Sequence, residues 1–262
     1  MIVGYKYIGM RAIVLARRDF RENDQVITVY TTERGKLDLV ARGIKKIIAK
    51  NSAHLEPFSF VDIDITIGKE ADYVTKVHPV DFFVPIRSDL NKSLMSQYLL
   101  SLVSKLLNVG EEDKRIFDLL ISWFRFVNST EFSGVILLDA FVMQFFALLG
   151  FQPALEACVV CDRSYKSMMK ADIKGKHKPG FYFSGGGLVC EDCKLQKRSI
   201  GEQIIDCGLR EVSDMQMLLQ ADWRTVVEFA MEDSTYQKLH KLVYEFVVYH
   251  SEKEIGDWEF RF

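Results

Sequence analysis

The sequence predicts an α+β protein of several domains: an N-terminal five-stranded barrel of the OB type, then an α-helical domain into which a four-cysteine zinc ribbon is inserted. Three observations predict it. Apolar residues recur with period two from Arg11 to about Val84, and they change to helical spacing after Pro85. Two C-x-x-C pairs, Cys158/Cys161 and Cys190/Cys193, then interrupt the helical pattern. Strict alternation marks a half-buried strand, whereas recurrence at i, i+3 and i+4 marks an amphipathic helix. The boundaries that follow are 1–84 for the barrel, 85–154 and 199–262 for the two parts of the helical domain, and 155–198 for the zinc-binding module.

Within the first segment, β-rich runs fall at 12–16, 25–31, 35–43, 61–67 and 73–77, with Glu33-Arg34-Gly35 as a turn. In the third run Leu37, Leu39 and Ala41 alternate with Lys36, Asp38 and Val40. In the fourth, Val61, Ile63, Ile65 and Ile67 face away from Asp62, Asp64 and Thr66. Five strands in so short a span leave no room for βαβ crossovers, which suits a small closed barrel. The pattern by itself fits an SH3-like barrel as well.

After Pro85, Ser88 or Asp89 can cap a helix with Leu94, Tyr98, Leu102 and Leu106 in one row and Met95, Leu99, Val103 and Leu107 beside it. A second helix starts near Asp113 and turns Ile116, Leu119, Leu120, Trp123, Phe124 and Val127 inward. A third, 133–149, is apolar nearly all round, which implies a central position; Gly150 and Pro153 stop it. Past the cysteines, Ser199-Ile200-Gly201-Glu202 matches a capping box, and helices are expected at 212–221, 223–231 and 234–250. His240 and His250 lack an acidic or thiol partner at ligand spacing, so no chemistry is expected of them.

The cysteine pairs are the most specific signal. Each C-x-x-C curls into a knuckle that aims both sulfurs at one ion, and two knuckles complete a tetrahedral S4 set for one structural Zn2+ per chain. Two disulfides, a redox pair or buried free thiols are the competing readings. A full set of four sulfurs leaves no open position for catalysis. Between the pairs, Lys166, Lys170, Lys174, Lys176, His177 and Lys178 form a basic loop, Gly180-Phe181-Tyr182-Phe183-Ser184 a strand, and Gly185-Gly186-Gly187 a turn. Cys207 stands outside the set as a packing residue.

Apolar residues make up 48% of the 262, enough for real cores. The net charge of −2 hides an asymmetry: residues 1–50 carry eleven Lys or Arg and five Asp or Glu, so the remainder carries −8. A basic first fifth suggests contact with a polyanion. No apolar run reaches the ~18–20 residues of a membrane span. The start lacks a signal peptide's apolar stretch, and an odd cysteine count fits a reducing compartment. A cytoplasmic protein with no membrane partner is expected. Phosphate loops, dinucleotide fingerprints, nucleophile elbows and H-E-x-x-H motifs are all missing from the sequence, which argues against an enzyme. The cations are organised instead. Arg17, Arg18 and Arg21 end the first strand; Arg34 and Lys36 bracket the hairpin; Arg42, Lys45 and Lys46 end the third strand. On an OB barrel such strand ends and loops border the nucleic-acid groove. Phe20, Tyr30, Phe58 and Phe60 are the aromatic candidates for stacking on bases.

Several of these stretches resemble the bacterial RecO family of recombination mediators. They are Arg11-Ala12-Ile13-Val14-Leu15, Glu22-Asn23-Asp24, Thr32-Glu33-Arg34-Gly35-Lys36, Ala41-Arg42-Gly43-Ile44-Lys45-Lys46 and Leu55-Glu56-Pro57-Phe58. Leu149-Gly150-Phe151-Gln152-Pro153 before the first cysteine pair and Gly180-Phe181-Tyr182-Phe183 before the second resemble that family's zinc segment. The resemblance implies an OB barrel, a helical domain and a zinc module. It further implies binding of single- and double-stranded DNA, annealing of strands coated by single-strand-binding protein, and action with RecR to load RecA, hence a nucleoid-associated location. It implies, too, a grip on the acidic, phenylalanine-ended tail of single-strand-binding protein. The helices at 88–149 and 234–250 offer apolar walls for that ring, and Lys92, Lys105, Lys114, Arg115 or Lys241 a cation for its carboxylate. Taken without the resemblance, the residues also fit a zinc-ribbon interaction module or an RNA-binding protein of the transcription or translation machinery.

Overall fold

Five strands close into a barrel in the order β1-β2-β3-β5-β4: β1 (Tyr7–Asp19), β2 (Gln25–Thr31), β3 (Gly35–Ala41), β4 (Phe60–Thr66) and β5 (Asp72–Asp81). Its seam is a short parallel pairing that sets Leu39 of β3 opposite Asp72 and Val40 opposite Tyr73. This order is that of an OB-fold. The computed structural model describes residues 7–46, 52–171, 178–232, 237–251 and 253–258. By chain contacts it divides into two compact units, Met1–Ser133 and Gly134–Phe262.

Alternation builds the barrel core: Val14, Ile27, Val29, Leu37, Leu39, Ile63 and Ile65 point inward together. β1 is far longer than the expected 12–16 because it serves two neighbours. Residues 7–13 pair with β4 and 12–19 with β2, and a register shift between Val14 and Ala16 bends the strand between them. Ile67, expected inside, lies past the end of β4 and is exposed. β2 is buried on both faces. Its outward Tyr30 donates its hydroxyl proton to the Asp113 carbonyl at 3.2 Å and accepts from the Asp113 N–H at 3.1 Å.

That contact begins the joint between the barrel and three helices, α1 (Val84–Ser88), α2 (Leu90–Leu106) and α3 (Lys114–Ser129). Asp89 caps α2 by accepting the Lys92 N–H at 2.9 Å, as expected, and Asp113 caps α3 through the Arg115 N–H at 2.8 Å. Phe58 and Phe60 pack on Phe124 and Phe117 with centroids 6.4 and 6.1 Å apart. These helices therefore share a unit with the barrel.

The second unit holds α4 (Ile136–Leu148), α5 (Tyr165–Ala171), β6 (Gly180–Tyr182), β7 (Gly187–Val189), α6 (Glu191–Ser199), β8 (Ile204–Asp206), α7 (Leu209–Gln220), α8 (Trp223–Glu232) and α9 (Gln237–His250). α4 is buried nearly all round, as its composition demands, and the strands form a small sheet in the order β7-β6-β8. No helix among the described residues is long and apolar enough to cross a membrane.

Three expectations change here. The spacer between the cysteine pairs is not all loop, since Lys166 and Lys170 sit on α5; Lys174, Lys176 and His177 lie outside the described residues. Ser199 closes a helix rather than opening one. Gly201 has φ of +85°, its N–H donates to the Arg198 carbonyl at 3.0 Å, and the Glu202 N–H reaches the Lys197 carbonyl at 3.2 Å. That double bond around a left-handed glycine is a Schellman ending, and the basic Lys197 and Arg198 suit a helix C-terminus. The third concerns His240. Its ring lies between two carboxylates, Nδ1 at 2.8 Å from Asp139 Oδ1 and Nε2 at 3.0 Å from Asp257 Oδ1. Trp258 Nε1 donates to the same Asp139 oxygen at 2.7 Å, which fastens the chain beyond α9 to α4. Ser234 and Tyr236, expected on α9, lie outside the described residues.

Burial opposes charge on His240, but its hydrogen bonds and charge pairing with Asp139, then Asp257, outweigh that and raise it to about 9. Burial pushes the Asp139 carboxyl up; when both carboxyls are ionised, each ring nitrogen, facing a carboxylate oxygen, carries a proton. Because the folded pKa lies above the unfolded value, the stability this charge supplies is full below about pH 6.5 and is lost as pH rises through about 9. Urea unfolding at pH 6, 8 and 10 should show that alkaline loss in the parent and not in His240→Gln. The variant itself should be destabilised by about 3 kcal/mol at pH 6, since a buried carboxylate loses its cation. Equal alkaline slopes in both proteins would remove His240 from that role.

Candidate metal centre and nucleic-acid interface

Cys158 and Cys161 lie on a tight turn whose Asp162 takes a left-handed φ of +57°, and the Asp162 N–H closes the turn on the Cys158 carbonyl at 2.9 Å. Cys190 is the N-cap residue of α6, and Cys193 sits in that helix's first turn. Between them the β6–β7 hairpin returns the chain. Gly187 is obligatory there, since a Cβ would stand 2.3 Å from the Ala154 carbonyl oxygen. The four sulfurs come within 4.8 Å of one another, and Cys161 Sγ lies 3.7 Å from Cys190 Sγ. Tetrahedral zinc with Zn–S of about 2.3 Å sets sulfur pairs at about 3.8 Å, so the donor set fits the ion.

Without an ion the four thiols would not all ionise. Burial opposes ionisation of Cys158, but the backbone N–H groups of Cys190, Val160 and Cys161 outweigh it and bring the thiol down to about 7. Burial and the neighbouring sulfurs push Cys193 up. Four thiolates this close require a cation among them. Cys207 is buried elsewhere, and burial raises it to about 12.

The eight cations expected at a nucleic-acid surface fall at two ends of the barrel. The pairings Asp19 with Gln25 and Gln25 with Ala41 bring the end of β1, the start of β2 and the end of β3 together. Arg17, Arg18, Arg21, Arg42, Lys45 and Lys46 therefore share one rim. Two hydrogen bonds tie its halves: the Gly43 N–H donates to Asp24 Oδ1 at 2.8 Å, and the Lys45 N–H to the Asn23 carbonyl at 3.2 Å. Gly43 takes a φ of +64° to do so. Arg34 and Lys36 stand at the opposite ends of β2 and β3, about 20 Å away at roughly 3.3 Å per residue, and both are engaged. Arg34 pairs with Asp72 at 2.9 Å, while the Lys36 ammonium donates to the Ser104 and Leu107 carbonyls at the C-terminal end of α2.

Within the rim, Arg17 pairs with Glu56, Lys45 with Asp19 at 2.9 Å and Arg18 with Asp38 at 3.6 Å. Hydrogen bonds from Gln25, then Lys45, hold Asp19 below the usual carboxylate range, so that partner stays charged. Arg21, Arg42 and Lys46 are exposed. Of the four aromatic candidates, Tyr30, Phe58 and Phe60 are buried and Phe20 is 47% exposed. Arg21 lies over the Phe20 ring at 5.0 Å, and Arg42 over Tyr73 at 3.9 Å. Tyr73 was invisible to the sequence as a site residue, because only the parallel β3–β5 pairing brings it beside Arg42.

The family model for the recombination protein O N terminal matches residues 6–83, and that for the recombination protein O C terminal matches residues 87–259. Among curated relatives, a DNA repair protein RecO of Syntrophomonas wolfei is 31% identical over 190 residues, covering 72% of this chain and 71% of the relative. That of Desulforamulus reducens is 26% identical over 255 residues, covering 97% and 94%, and that of Thermobifida fusca 27% over 246 residues, covering 93% of each.

Metal analysis of the purified protein should find one Zn2+ per chain, retained by Cys207→Ala and largely lost from Cys161→Ala. Because the binding free energy of a structural ion is folding free energy, Cys161→Ala should also lower the melting temperature of the second unit. Zinc content unchanged by Cys161→Ala would show that the ion is held elsewhere.

Proposed function

The chain belongs to the recombination protein O family of DNA repair and recombination proteins, and from that premise we propose that its barrel rim binds DNA and anneals complementary strands coated by single-strand-binding protein. We propose further that it acts with RecR to load RecA, and that Cys158, Cys161, Cys190 and Cys193 hold a structural Zn2+ that folds the 155–198 module without taking part in strand chemistry. The observation that carries the DNA reading is the pair of hydrogen bonds from Gly43 and Lys45, which fixes cations from two distant stretches on one rim. Such a site neutralises phosphates and releases their counterions, and it needs neither nucleotide nor catalytic group.

For the tail of single-strand-binding protein, exposed Phe151, Val248 and Tyr249 offer an apolar wall in the second unit. Of the cations considered for its carboxylate, Lys92 is buried on the Thr130 carbonyl, Lys114 pairs with Asp118 and Arg115 with Asp113, and Lys105 is engaged as well. Lys241, exposed on α9, is the candidate in the same unit.

With Arg21, Arg42 and Lys46, the exposed rim cations outside the three ion pairs, as the contacts, the logarithm of single-strand affinity should fall with the logarithm of salt at a slope of about 2, at roughly 0.7 per contact. Arg42→Ala with Lys46→Ala should flatten that slope by about 1.4 and slow nucleotide-independent annealing. A slope and annealing rate that both stay unchanged would move the site off the rim, with the basic helix α5 next in line.

A further inference from the structure

The rim carries six cations, yet five carboxylates share it: Asp19, Glu22, Asp24, Asp38 and Glu56. Its local charge is therefore close to neutral, and three of its cations are already paired at distances no longer than 3.6 Å. Phosphate attraction alone would make such a surface a weak binder of a duplex, which presents phosphates and hides its base faces. What the rim has in addition is two flat plates. Phe20 projects from a loop whose shape is fixed by three backbone hydrogen bonds, Phe20 N–H and Arg21 N–H to the Asp24 carbonyl at 3.2 and 3.4 Å, and Asp24 N–H to the Arg21 carbonyl at 3.3 Å. Phe20 is nearly half exposed, with the Arg21 guanidinium over its ring. Arg42 is the second plate. Its guanidinium carbon lies 3.9 Å from the Tyr73 ring centroid, and the residue is exposed. Bases stack on aromatic rings and on guanidinium planes alike.

Resting on the reading of this rim as the DNA site, we infer that Phe20 and the Tyr73-supported Arg42 are base-stacking platforms that make the rim selective for unpaired strands over duplex. Tyr73 is a positioning residue: it acts through the plane of Arg42. The chemistry that a single strand offers and a duplex withholds is the exposed base face, so the two plates set the preference while the cations set the salt dependence. This division also suits annealing, because bases held by stacking keep their pairing edges free for a complementary strand.

The test compares the full-length protein on an oligothymidine strand, the same strand with abasic sites, and a duplex of equal length. Phe20→Ala should weaken single-strand binding about 5- to 150-fold, the range expected for one stacked base, and leave duplex affinity and salt slope as they were. Phe20→Tyr should restore single-strand affinity. Arg42→Lys, which keeps the charge and loses the plane, should weaken the single strand more than the duplex. The abasic strand, which offers a base to neither plate, should bind the parent at least as poorly as the intact strand binds Phe20→Ala. If the abasic strand binds the parent as tightly as the intact one, or if Phe20→Ala weakens strand and duplex alike, the inference is overturned while the rim remains the DNA site. If the parent binds neither strand nor duplex, the DNA reading fails and this inference goes with it.

Discussion

Closure of the five-stranded sheet is the constraint on which the first unit depends. For β3 to meet β5 in parallel, β1 must bend at its register shift and serve both β2 and β4, and every strand end is then fixed in space. The antiparallel pairings of β2 with β1 and β3 bring the β1–β2 loop beside the turn after β3, and there one carboxylate finishes the arrangement. Asp24 accepts the N–H of Gly43, a residue that can take the required positive φ without strain. With the Lys45 N–H to Asn23 carbonyl bond, that contact fixes the turn after β3 relative to Arg18 and Arg21. The surface proposed for DNA is thus a by-product of how the strands pair.

The second unit meets its constraints differently. Its small sheet has only three strands of three residues each, too little to bury a core alone, and the clustered cysteines supply what packing does not. Around α4 the problem is reversed: apolar burial is abundant, and the polar group at its centre, Asp139, must be neutralised. His240 supplies a charge and Trp258 a hydrogen bond, from two other parts of the chain. A buried charge satisfied in this way adds directional restraint to a core whose apolar contacts are otherwise interchangeable.

The strands of the barrel were legible because alternation is a local property, and Leu37, Leu39, Ile63 and Ile65 declared their face outright. So were the cap at Asp89, the start of the second helix near Asp113, and the cysteine cluster, each carried by residues close in sequence. What the sequence hid was set by pairing over long separations. His240 and Asp139 are 101 positions apart, so no helical spacing could join them. Arg34 and Lys36 looked equivalent to Arg42 and Lys45, and only the strand directions separate them by the barrel's length. Lys36 even reads as a surface cation, although it caps the carbonyls of α2. The misreading at Ser199 was different in kind, since Lys197, Arg198 and Gly201 already spelled a helix ending and were outweighed by a matching capping box.

The central claim is that DNA lies on the rim formed by the β1–β2 loop and the turn after β3. Photocrosslinking of a single strand carrying 4-thiothymidine, followed by mapping of the modified peptides, tests it most directly. The account predicts adducts in residues 17–25 and 41–46, with Phe20 among the modified side chains. Adducts confined to residues 163–171 or elsewhere in the second unit would contradict it.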